Sequence, residues 1–191
     1  MRAALGANFF DTVGQSLIGA VQNDATTWLV QQYAELRAMP QRLAALRQFA
    51  NNVLAKLSST SVSVADDQQA VLTAGTKLNQ LTAQYPAMMA AVDAAYSAIQ
   101  QITAGYDANI MAAVGTTAGA VVQAQAFMSE VNDVNDSLKT VVDHLLSSGA
   151  ITPSEADALY ASGQPSSAGW GRYVLYGAVI LGLYWLAKKV L

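Results

Sequence analysis

"LVQQYAELRAMPQRLAALRQFANNVLAKL", residues Leu29 to Leu57, places an apolar residue at every seventh position: Leu29, Leu36, Leu43, Ala50 and Leu57. Side chains seven apart return to nearly the same side of an α-helix, and a second apolar position three residues on widens that side into a stripe. Here the companions are Met39, Leu46 and Val53. Helical bundles and coiled coils bury seams of this kind. The spacing therefore predicts helix, and it also predicts which side of the helix is core.

Working outward, the same step continues through Val64, Val71, Leu78, Tyr85, Val92, Ile99, Tyr106, Ala113, Ala120, Phe127, Val134 and Val141. Its companions include Ala74, Leu81, Met88, Ala95 and Ile102, three residues on. Beyond Tyr106 they move to four residues on, at Ile110, Thr117, Ala124, Val131, Leu138 and Leu145. Such a shift turns the stripe about the helix axis, as at a change of packing partner. A single helix over 25–148 would be about 190 Å long. The segment "SSTSVS" at 58–63 argues against that, because serine and threonine compete for backbone hydrogen bonds. Ser63 followed by Asp66 reads as a new N-cap with an acid in the first turn. Pro86 is expected to kink or break the helix and Pro40 to kink the earlier one. Three helices near 25–58, 64–84 and 87–147 follow, either folded back as a bundle or running as a rod bundled with copies of itself.

Composition agrees with an all-α chain. Four prolines in 191 residues leave long unbroken segments, and alternating strand patterns are scarce. Only 12% of residues are charged while 53% are hydrophobic, which suits helices covered by neighbours rather than a disordered chain. The net charge of −3 is not that of a nucleic-acid binder. Absence of cysteine removes disulfides, thiolate metal sites and thiol catalysis.

The C-terminal stretch "GWGRYVLYGAVILGLYWLAKKVL" carries the strongest local signal. Tyr173 to Ala187 is uncharged and rich in Leu, Val, Ile and aromatics, slightly short of the ~20 residues that span a bilayer core. Arg172, Lys188 and Lys189 flank it, with long side chains that snorkel to headgroups. Trp170, Tyr173, Tyr184 and Trp185 suit an interfacial belt. Ala178 and Gly182 form a small-xxx-small pair for close helix approach. A transmembrane anchor over 170–191 is expected, making this a single-pass membrane protein. The start reads as a separate amphipathic helix over 1–24, with Phe10, Val13, Leu17 and Val21 on one face. It does not resemble a signal peptide, because Asp11 and Gln15 interrupt the apolar run.

Between Ala108 and Ser129 no residue is ionisable, but Thr116, Thr117, Gln123 and Gln125 weigh against lipid. Gly115 and Gly119 form a GxxxG, whose physical content is that two backbones can come close. Each costs about 1 kcal/mol relative to alanine in a helix. Tight packing of a neighbouring helix is the economical explanation, with entry into a membrane or pore as the alternative.

No catalytic set emerges. His144 stands beside Asp143 without a recognisable nucleophile elbow, and the glycines build no phosphate loop. Glu130, Asp133 and Asp136 lack the loop of a calcium site. Arg37, Arg42, Arg47 and Lys56 form a basic segment, expected to lie against the acid-rich half beyond Asp93. Thr152, Pro153 and Glu155 make a capping box for a short helix within 149–169, joined through Gly149 to the helix before it. The "SGQPSSAGWG" segment then serves as a tether. Neither cofactor nor metal is expected, and an enzyme is not.

The sequence thus predicts a helical body over 25–148 that oligomerises or braces partners at a lipid bilayer. The alternative is an oligomeric helical conduit or pore-former, whose sparsely charged lumen would not grip its cargo. In general composition the chain resembles the small, Ala- and Gly-rich membrane proteins of bacteriophage virions. That resemblance implies virion membrane partners and either a scaffold or a DNA-delivery tube, without sequence-specific nucleic-acid binding.

Overall fold

The computed structural model describes the backbone of residues 4–60, 64–103 and 110–164, and the side chains of 25–60, 64–100 and 115–164. It contains four α-helices, α1 (Ala4–Ser59), α2 (Ala65–Thr103), α3 (Ile110–Ser147) and α4 (Pro153–Ser162), and no strand among the described residues. The chain is all-α and its helices pack together.

The seven-residue seam is the core. Every described member from Leu29 to Val141 is buried except Tyr85, which is half-buried. Its companions behave alike: Met39, Leu46, Val53, Ala74, Leu81, Met88 and Ala95 before the shift, and Thr117, Ala124, Val131, Leu138 and Leu145 after it, are all buried. The shift coincides with the junction between α2 and α3, so it marks where one helix hands over to the next.

Two helix boundaries differ from the sequence reading. α1 runs from Ala4 to Ser59 without ending near residue 24. α2 runs through Pro86 to Thr103, and α3 begins only at Ile110. Both prolines lie inside helices and both are exposed. A proline ring on the solvent side removes one amide without disturbing the buried stripe, so packing holds the helix through it. The start of α2 falls where expected, with Asp66 and Asp67 in its first turn; Ser63, the expected cap, lies outside the described residues.

The chain divides into two compact units, residues 1–33 with 88–125 and residues 34–87 with 126–191. In the first, the Tyr33 ring stacks on Tyr96 with centroids 4.1 Å apart, and its hydroxyl donates to Asp93 at 2.8 Å. Leu29, Val92, Ala95, Val121 and Ala124 are among its buried residues.

In the second unit, interhelical pairs fix the directions. Arg47 of α1 reaches Asn79 of α2, whereas Tyr85, later in α2, reaches Leu36, earlier in α1. On the other side Asp67, Lys77 and Tyr85 of α2 meet His144, Glu130 and Phe127 of α3. Both pairings run antiparallel. α3 ends in a Schellman turn: Gly149 takes φ +72°, and the Ala150 and Gly149 amides donate to Leu145 and Leu146. Only a residue without a Cβ adopts that conformation at little cost. Three residues after Gly149, Thr152 caps α4, its hydroxyl accepting from the Glu155 amide while the Glu155 carboxylate accepts from the Thr152 amide. The expected capping box is present, with Pro153 in the first turn.

Candidate functional site

The expected anchor residues Trp170, Arg172, Tyr173, Tyr184, Trp185, Lys188 and Lys189, with Ala178 and Gly182, lie outside the described residues. No helix among the described residues is long and apolar enough to cross a membrane, the described part of 108–129 included.

Gly115 and Gly119 lie on the exposed side of α3, and a Cβ built on either would meet no atom of the described chain within 4 Å. Val122, one turn further, is 65% exposed, and Ala126 continues the same face into solvent. Thr117, Ala120, Val121 and Ala124 meanwhile fill the buried side of the helix. Among the described residues, therefore, the two glycines admit no neighbour. Their helix-propensity cost has no counterpart in packing among the described residues, and the face they leave is uncharged, shallow and apolar.

Two clefts cut the surface of the second unit. One of about 370 Å³ separates α1 from α2, with Leu54, Val71, Leu72 and Gly75 on its walls and Arg47 at its rim. Leu72 is 53% exposed, and Gly75 too has open space where a Cβ would stand. The other, about 760 Å³, lies between α2 and α3 beside Asp66, Lys77, Glu130 and Asp133. Lys77 bridges to Glu130 across it at 2.9 Å. Both are open furrows rather than closed chambers, with no cluster of groups converging on one point.

Electrostatic pairing is more dispersed than the sequence suggests. Of the basic segment in α1, Lys56 finds an acid of the acid-rich half, Glu155 at 2.5 Å. Arg42 contacts Glu35 of its own helix and the Asn132 side-chain oxygen, and Arg47 donates to Asn79 and Thr82. His144 and Asp143, adjacent in sequence, work apart: His144 Nδ1 shares a hydrogen bond with Asp67 at 2.7 Å, while Asp143 accepts from the Tyr160 hydroxyl. Burial and the Asp143 hydrogen bond push the Tyr160 hydroxyl up to about 12. Both pairs fasten helices: His144, in the last turn of α3, reaches Asp67 in the first turn of α2, where a carboxylate suits the helix dipole, and Asp143 reaches Tyr160 of α4. Among the described residues no three His, Asp or Glu side chains group to hold a metal ion. No family model matches the chain, and neither does any curated protein or solved structure.

Proposed function

We propose that this chain is a non-enzymatic helical assembly protein, held at a bilayer by its C-terminal segment and associating through the uncovered face of α3. The observation that carries the reading is the Gly115–Gly119–Val122 face: small, uncharged, exposed and unoccupied by the chain's own described residues. Its partner is a second copy or another membrane protein. In this reading the aromatic and basic residues of 170–191 hold the body against the lipid, and the seam inside the bundle keeps that body folded.

Flotation with liposomes and mass measurement in detergent test it together. The full chain should float and should be larger than a monomer, and a chain lacking 170–191 should remain folded but lose flotation. A monomeric mass would remove the assembly role, and flotation without 170–191 would remove the anchor. A ring of many copies, with liposome leakage that vanishes on deletion of 108–129, would instead favour the conduit, whose supporting feature is the sparse charge of that segment.

A further inference from the structure

A proline inside a helix leaves a specific acceptor without its donor. Pro40 has no amide hydrogen, so the carbonyl four residues earlier, that of Leu36, loses its i→i−4 partner. In α1 that carbonyl does not lack a donor: the hydroxyl of Tyr85, on α2, donates to it at 3.2 Å. The Tyr85 ring is half-buried and lies 6.2 Å from the Phe127 ring of α3, tilted by 53°, so a third helix braces the donor. Tyr85 itself directly precedes Pro86, whose missing amide removes the corresponding bond to the Thr82 carbonyl within α2. Two neighbouring helices are thus each one backbone bond short at the same level of the bundle.

We propose that this level is a coupled bending point, in which Tyr85 supplies across the interface the hydrogen bond that Pro40 withholds within α1. When the Leu36–Pro40 turn opens, Tyr85 loses its acceptor, and when the Tyr85 turn of α2 shifts, Leu36 loses its donor. The two openings are one event. The core next to it, with Met39 and Leu43 in α1 and Leu78 and Leu81 in α2 on the side toward Arg47 and Asn79, is fully or nearly fully buried, so bending on that side stops at the level where backbone bonding is sparse. Replacement of an intrahelical bond by an interhelical one is what makes a local flexure report on both helices.

Amide hydrogen exchange on the full chain tests the coupling. Tyr85→Phe keeps the ring and removes the donor; exchange should rise about fivefold in both 36–44 and 82–90, the effect of one net hydrogen bond. Pro40→Ala lies on the exposed side and returns an amide to Leu36, so it should slow exchange over 36–44 while preserving the fold. In the Pro40→Ala background, Tyr85→Phe should leave 36–44 nearly unchanged. An equal Tyr85→Phe effect in both backgrounds would overturn the proposal, as would a Tyr85→Phe response limited to α2. Should Tyr85→Phe prevent folding, the Pro40→Ala chain still decides: unchanged exchange over 36–44 removes the coupling.

Discussion

Glu155 divides its two carboxylate oxygens between two helices: one holds Lys56 of α1 at 2.5 Å, and the other closes the capping box on Thr152 of its own helix. The short helix α4 is therefore tied to the body by the same residue that starts it. Sequence spacing alone identified the second task and not the first, because Lys56 lies 99 residues away.

This double use makes α4 acid-sensitive. The Lys56 hydrogen bond first, and the Thr152 backbone amide second, hold the Glu155 carboxyl down from its usual 4.5 to about 2. A carboxyl lowered on folding contributes fully above its unfolded value and loses that contribution as pH falls through the folded one. The gap in melting temperature between the native chain and Glu155→Gln should be widest above pH 4.5 and should narrow toward pH 2. Because the group is solvent-exposed, concentrated salt should shrink the gap as well. A gap independent of pH would show that the charge of Glu155 does not fasten α4.

At the other end of α4, Gly163 is required by close approach rather than by backbone conformation. Its φ of −82° suits any residue, but a Cβ there would stand 2.7 Å from Phe49 Cδ1. Phe49 is 1% exposed and its ring also meets Tyr160 edge-on, so it has little freedom to retreat. Gly163→Ala should destabilise the chain by about 1–3 kcal/mol through overpacking. In a Phe49→Leu background the same substitution should cost less, as a double-mutant cycle by chemical denaturation would read.

Leu72 and Leu78 lie six residues apart on α2, and the seam separates them. Leu78 belongs to it and is fully buried, whereas Leu72 is off it and 53% exposed on the wall of the α1–α2 cleft. Leu78→Ala should cost about 2–5 kcal/mol as a cavity-forming change, and Leu72→Ala should stay within about 1 kcal/mol. Equilibrium unfolding in urea compares them directly. Equal costs would mean that the seam is not the core.

That contrast also shows why the fold was legible where it was. Burial follows a period, and a period survives in the one-dimensional sequence, so the seam named most of the core, though not Phe49 or Val142, which are buried beside it. The companion shift past Tyr106 falls between the end of α2 at Thr103 and the start of α3 at Ile110, although the sequence alone reads it as a change of packing partner within one helix. Pro86 drew the boundary to the wrong place because a proline's local penalty says nothing of the packing on the opposite side of the helix. Pairings such as Tyr85 with Leu36, or Gly163 with Phe49, join residues distant in sequence and have no local pattern. The exposed glycine face of α3 was half legible: Gly115 and Gly119 stood out, but sequence does not reveal whether a neighbouring helix of the same chain covers them.

The uncovered glycines lead to a prediction in which folding and assembly move in opposite directions. With no described atom within 4 Å of a Cβ at either site, Gly115→Ala and Gly119→Ala relieve a helix-propensity cost of about 1 kcal/mol each. The monomeric body should melt at a higher temperature by circular dichroism. If a partner helix lies against this face, the added methyls push its backbone away. The same variants should then show a smaller mass in detergent, and Gly119→Leu, which adds more bulk, a smaller one still. A higher melting temperature with unchanged mass would leave the bundle intact but place its assembly contact elsewhere.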